Sequence, residues 1–176
     1  ALKKKFSNKE IFNKNLPKNP SCRSLYDIAE KIRYEVLGSK MLKGIRKNLS
    51  ENYKKKINLT RKDQLKNKED SSVTEAFELY MLNKFFNIKL NAESLKILSF
   101  WEKDFNSSIE KHISFLTKNM DDQNNYNSKF SEILESMDVL SSNNKKNEED
   151  NEKDDEQNNK SDNNNDDDES NGQDKE

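Results

Sequence analysis

Among the 176 residues there is one cysteine, one histidine, one tryptophan, two prolines and three glycines. A lone Cys22 rules out an internal disulfide, a Cys-x-x-Cys redox pair and a cysteine zinc cluster, and a reducing, cytoplasmic setting fits it best. Gly38, Gly44 and Gly172 cannot build a phosphate-cradling loop, and no Gly-x-x-x-x-Gly-Lys-Ser/Thr run is present, so P-loop nucleotide binding within this chain is excluded. His112 has Ser108 and Leu116 four residues to either side, which leaves no Glu-x-x-His or His-x-x-x-His pair; it reads as an ordinary, partly exposed histidine. No apolar run approaches the roughly 18 residues of a membrane span, and the amino end has no signal-peptide core. Alternating β-branched runs are missing as well, and no Asn-Gly hairpin turn joins two such runs. The class that survives is all-α.

What is present divides sharply. Residues Ser141 to Glu176 contain no aliphatic, aromatic, Met or Cys side chain and hold 14 acidic residues against 5 lysines. The preceding 140 residues carry the other 27 basic and 19 acidic side chains, so a chain of net charge −1 joins a basic part to an acidic one. A segment so polar and charged cannot offset the entropy of ordering, and residues 141–176 are expected to be a disordered acidic tail or linker. Its acidic clusters do not follow the Asp-x-Asp-x-Asp-Gly loop that fixes calcium ligands, so loose attraction of cations is the most they offer. Residues 1–140 are expected to form an irregular helical domain of about four to five helices. An alanine start and a low-complexity end read as a piece of something longer.

The most individual stretch is Leu25–Ile57. Leu25, Ile28, Ala29, Ile32 and Val36 lie along one helix face, and Leu42, Ile45, Leu49 and Tyr53 along a second face turned from the first. The change of face falls at Gly38. Glycine inside a helix costs about 1 kcal/mol relative to alanine, so Gly38 and Gly44 predict a kink or a close approach of another backbone within one long helix. Ser21 or Ser24 is the expected cap of that helix. Ahead of it, Ala1–Asn15 is a weak helical pattern ended by Pro17 and Pro20. Beyond it, Ser72-Val-Thr-Glu75 predicts a capping box and a helix to about Phe86. Asn91 opens a third, broken near Asn106-Ser107-Ser108, and Tyr126–Met137 gives a last one.

Candidate chemistry is sparse. Lys54–Lys56 with Arg61 and Lys62 clusters positive charge as phosphate contacts require. Interruption by Glu51, Asp63, Glu69 and Asp70, with no aromatic platform beyond Tyr53, favours a solvated helix end. Trp101, with Phe100 and Phe105, reads as a core anchor. Glu30, Arg33 and Glu35 form pairs at helical spacing with Asp27 and Lys31 nearby, and the spacing alone favours an exposed face. The other reading is a partly buried polar set facing a partner. Nothing supplies a nucleophile, base or metal cluster, so an enzyme acting alone is the least favoured class.

The run Ala29–Leu49 resembles a region of the CobT subunit of aerobic cobaltochelatase, with a pattern like E-x-x-R-x-E-x-x-G. Glu30, Arg33, Glu35, Gly38, Asn48 and Leu49 match it, and Met41 and Gly44 match in type with one more residue between them. Leu98-Ser99-Phe100-Trp101 is similar to the family's Leu-Trp stretch, and a helix ending at Met137 is followed by an acidic run, as in that family. The resemblance implies a subunit of the ATP-dependent enzyme that inserts Co2+ into hydrogenobyrinic acid a,c-diamide in cobalamin synthesis. Its expected partners are the AAA+ subunit CobS and the tetrapyrrole-binding subunit CobN, in an oligomeric complex that uses ATP, Mg2+ and Co2+. A family member carries a von Willebrand A-type domain with an adhesion-site metal after the acidic linker; this chain holds neither, so no cofactor is expected on it. On this reading Glu30, Arg33, Glu35, Gly38, Asn48 and Leu49 serve partner binding, and Arg33→Ala weakens capture of CobS while the chain stays folded. The alternative is a free-standing helical module that binds protein or nucleic acid and carries a charged tail.

Overall fold

Asn19 sets the start of the central helix, α3 (Pro20–Met41), by accepting a hydrogen bond from the Ser21 N–H at 3.0 Å. Pro20 sits at N1, where its missing N–H would have had no helical partner, so the cap lies ahead of both Ser21 and Ser24. This is a computed structural model, describing residues 1–59, 65–137 and 140. Helix α3 buries Leu25, Ala29, Ile32 and Val36 as the periodicity predicts, and beside them a second row of Cys22, Tyr26, Arg33 and Leu37. Two adjacent rows give it neighbours on several sides: α1 (Leu2–Phe6), α4 (Lys43–Leu59), α5 (Val73–Phe86) and α9 (Gln123–Glu135) all pack against it.

Leu25–Ile57 is not one bent helix. The chain leaves helical geometry at Leu42 (φ −136°, ψ 117°), not at Gly38. The Tyr53 hydroxyl donates to the Glu35 carboxylate, though 18 residues of continuous helix would hold them about 27 Å apart. Helix α4 therefore folds back along α3, and the second apolar stripe turns inward along its later part, with Tyr53 and Ile57 buried and Leu49 partly so, while Leu42 at its start stays exposed. The change of face seen in the sequence marks a helical hairpin. Gly38 does answer to a close approach, but of a side chain: a Cβ there would lie 2.5 Å from Leu2 Cδ2. Around Gly44 such a Cβ would meet nothing within 4 Å.

The weak amino-terminal pattern becomes two short helices, α1 and α2 (Lys9–Lys14), split where Asn8 accepts from the Glu10 and Ile11 N–H groups at 2.8 and 3.2 Å. Both lie on the body of the domain, α1 over Gly38 and α2 beside α9, with Tyr26 donating to the Phe12 carbonyl at 2.9 Å. Beyond α4, a 3-10 turn at Lys68–Asp70 is held by the Asp70 carboxylate, which accepts from the Lys66 and Asn67 N–H groups at 2.9 Å each. The capping role expected of Ser72 and Glu75 is not seen, for the Ser72 side chain makes no cap hydrogen bond; α5 nonetheless runs as predicted to Phe86. It ends on Asn87 in the left-handed region at φ 54°, a conformation that asparagine tolerates better than most side chains.

The third predicted helix is broken in other places than expected. It forms α6 (Ala92–Ser99), α7 (Glu102–Ile109) and α8 (Ile113–Lys118), with breaks at Phe100–Trp101 and Glu110–His112. Asn106–Ser108 stays helical because its polar side chains find partners: Asn106 accepts from Tyr80 at 3.1 Å, and Ser107 donates back to the Asp104 carbonyl at 2.9 Å. The break falls at Trp101 instead, whose indole turns inward to donate to Ser71 Oγ at 2.8 Å. Phe77 of α5, Phe105 of α7 and Phe130 of α9 meet edge-on at centroid distances of 5.7 and 6.4 Å and close the core, an arrangement favoured by the aromatic quadrupole. Among the described residues no strand occurs and no helix is long and apolar enough to cross a membrane. The expected disorder of residues 141–176 lies outside the described residues.

The two helical glycines should behave differently. Gly44→Ala, with open space around it, should raise stability by up to about 1 kcal/mol in urea unfolding. Gly38→Ala should gain the same propensity but displace Leu2, so the gain should appear only in a Leu2→Ala background.

Candidate partner-docking site

Glu30 and Arg33 stand three residues apart on α3, so their side chains meet on one helix face. Arg33 donates from Nε to Glu30 Oε2 at 2.8 Å and from Nη2 to Oε1 at 3.0 Å, a bidentate fork. Its remaining reach is spent on backbone carbonyls, from Nη1 to Met120 at 2.7 Å and from Nη2 to Phe6. Phe6 ends α1, and Met120 lies just beyond α8, so the guanidinium sits where two helices leave carbonyls without helical partners. A cation there also meets the negative ends of their dipoles. Gln123, the first residue of α9, extends the set: its Nε2 donates to Glu30 Oε1 at 3.2 Å and to the Asn8 carbonyl at 3.0 Å. Its Oε1 accepts from the Asn8 N–H at 2.7 Å. Tyr126 completes it, its hydroxyl donating to the Ala29 carbonyl at 3.0 Å and its ring 6.0 Å from the guanidinium. Burial, reinforced by the Glu30 charge, pushes the Tyr126 phenol well up, so it stays a neutral donor.

Glu35 belongs to a second polar set between α3, α4 and α5. Its carboxylate accepts from Tyr53. Lys31 lies over the Tyr53 ring at 5.4 Å and 3.6 Å from Glu78, which also pairs with Lys56 at 2.7 Å. Burial pushes the Glu35 carboxyl above the ordinary range, against the hydrogen bond from Tyr53 and the charge of Lys31. Of the basic run Lys54–Lys62, then, Lys56 pairs with Glu78 of α5 at the domain surface, while Arg61 and Lys62 lie outside the described residues.

The exposed face favoured by the spacing is thus corrected. Glu30 is 3%, Arg33 1% and Glu35 8% exposed, and Gly38 lies under Leu2. Burial was signalled by Tyr26 and Leu37, seven before and four after Arg33, which put apolar side chains on its own row. The partners Phe6, Met120 and Gln123 had no signal, because they come from segments about 27 and 90 residues away and two of them contribute only a carbonyl. Asn48 is exposed and Leu49 half-buried, both on α4. His112, partly exposed, has its basicity lowered by burial and by Lys129 and Lys111. No three His, Cys, Asp or Glu side chains converge as metal ligands among the described residues. Cys22 is buried, donates to the Leu134 carbonyl at 3.4 Å, and has its thiol pushed up to about 11 by burial and by Glu135, which leaves it a poor nucleophile.

A family model described as Cobalamin biosynthesis protein CobT matches residues 1–176. The chain belongs to the CobT family. No solved structure matches it. In CobT terms, the Glu-x-x-Arg-x-Glu-x-x-Gly pattern supplies an internal frame: the arginine ties helix ends, the second glutamate ties the hairpin, and the glycine seats α1. Membership of this family places the chain in cobalamin biosynthesis.

Two outcomes follow for this CobT domain. Removing Arg33 leaves Glu30 charged and buried, so Arg33→Ala should cost about 3–5 kcal/mol in urea unfolding and should not leave the fold intact as the sequence alone suggests. For Glu35, the folded pKa lies above the unfolded one, so the folded state binds more protons between the two values and stability falls as pH rises through that window. Glu35→Gln should abolish this fall, giving a variant whose advantage over the parent protein grows from acid to neutral pH.

Proposed function

We infer that this chain is a non-catalytic assembly subunit of the ATP-dependent cobaltochelatase that inserts Co2+ into hydrogenobyrinic acid a,c-diamide. It binds the AAA+ subunit CobS, and the pair acts on CobN, which holds the tetrapyrrole. ATP and Mg2+ serve the ATPase and Co2+ is substrate; this chain binds none of them. The observation that carries the reading is the family match across the whole sequence. It is supported by the character of the domain, in which Glu30, Arg33 and Glu35 of the family pattern are turned to internal cross-links that fix the helices on one another.

Within this reading the six family-pattern residues divide their work. Glu30, Arg33, Glu35 and Gly38 act from inside, fixing α1, α4 and α9 on α3 so that the partner meets a preformed surface. Asn48 and Leu49, on the hairpin's second helix, lie where a partner can reach them. Such a subunit contributes binding and orientation while the ATPase supplies the driving force.

Co-expression with CobS and CobN tests it. The tagged chain should retain CobS through size-exclusion chromatography in ATP and Mg2+, and ATP-dependent cobalt insertion by CobS and CobN should require its addition. Recovery of the chain alone, with insertion undiminished in its absence, would contradict the assignment.

A further inference from the structure

The tip of the α3–α4 hairpin carries two half-exposed apolar side chains, Met41 at 47% and Leu42 at 51%. They are set in positive charge: from Val36 to Ser50 the sequence has Lys40, Lys43, Arg46 and Lys47 and no acid. Nearby carboxylates are few. Glu35 is buried against Tyr53, Glu51 reaches Lys47 at 4.0 Å, and Asp121 and Asp122 line a groove with Lys4 and Lys5. Helix α1 is seated over Gly38 by Leu2, about a turn from the tip, and brings the exposed Lys3-Lys4-Lys5 run to the same end. The absence of any heavy atom within 4 Å of a Cβ at Gly44 shows that the tip stands clear of the body on that side.

Leu42 is also in a costly place. Its carbonyl accepts from the N–H groups of Ile45 at 3.0 Å and Arg46 at 3.3 Å, so it occupies the N-cap position of α4. That position favours Ser, Asp, Asn or Thr, whose side-chain oxygen satisfies a free N–H; leucine has none to offer. A leucine that neither caps the helix nor enters the core is left available for a contact outside the chain.

We propose that the hairpin tip is a docking knob that places Met41 and Leu42 in an apolar recess rimmed by acidic side chains on a partner protein. This rests on the assembly reading above and names its surface. The lysines and Arg46 steer the encounter and match the rim, while the two apolar side chains supply the desolvated centre. Methionine suits such a place because its flexible thioether adapts to the recess. A protein fits better than a nucleic acid, since the tip offers no exposed aromatic ring for base stacking and phosphates give nothing to two aliphatic groups. A membrane surface needs a much wider apolar face.

The test uses the full chain and CobS with ATP and Mg2+, with affinity measured by titration at several salt concentrations. Leu42→Ser should raise the Tm by restoring a cap, yet weaken binding about tenfold or more, with Met41→Ser weaker likewise. Lys43→Glu with Lys47→Glu should weaken binding and flatten its salt dependence, while Leu95→Ser, 53% exposed on α6, should change nothing. Parent-level affinity in Leu42→Ser and Met41→Ser would overturn the tip surface alone. A parent protein that binds no CobS would overturn the assembly reading and this surface with it. Binding of a single-stranded oligonucleotide that is lost in the charge-reversed variant and kept in Leu42→Ser would replace the protein partner by nucleic acid.

Discussion

One guanidinium holds four pieces of this chain in place. Arg33 is charged and 1% exposed, a state tolerable only because Glu30 neutralises it and two helix-end carbonyls take its other protons. Those carbonyls belong to α1 and to the turn after α8, and Gln123 joins the same carboxylate from the start of α9. The apolar core alone could tolerate small slides of these short helices, because burial is non-directional. Directed hydrogen bonds in a water-poor interior cannot tolerate them, since a shift leaves a buried polar group unpaired. The short amino-terminal helices need such a lock most, being only five and six residues long with no fully buried side chain of their own; helices this short are marginal in water.

The same logic separates body from tip. Near Arg33 every polar group of the cluster is spent inside, and α3 is covered on most of its faces. One turn past Gly38 the chain changes character: apolar side chains face outward, a leucine occupies a cap position, and charge is of one sign. A cross-linked body bearing an exposed tip fits the assembly role proposed above. Glu35 and Tyr53 link the two regions, because they fix how α4 lies on α3 and hence where the tip points.

The sequence was a good guide to several local features, though not to the cap expected at Ser21 or Ser24, the Ser72–Glu75 capping box or the break at Asn106–Ser108. Helical class, the extent of α5, the Asn91 cap of α6 and the inward Trp101 follow from periodicity and short-range side-chain chemistry. The chain reversal at Leu42 was visible only as a change of face, which a bent helix and a hairpin produce alike; the contact of Tyr53 with Glu35 decides between them. The burial of Glu30, Arg33 and Glu35 was misread because surface pairs at the same spacing are far commoner. The cluster around them depends on backbone carbonyls and a glutamine brought in by tertiary folding, which no local pattern encodes. Gly38 was recognised as needing a reason, but Leu2, the reason, lies 36 positions away.

The central claim, that the Arg33 cluster locks the amino-terminal helices and α9 onto α3 as one unit, is tested most directly by native-state amide hydrogen exchange in a Glu30→Gln protein. The reporting amide is that of Asn8, whose partner among the described residues is the Gln123 side chain. The account predicts that protection falls together at Asn8, along α2 and in the first turn of α9, while α5 and α7 retain theirs. Unchanged protection at Asn8, or an equal loss throughout the domain, would contradict it.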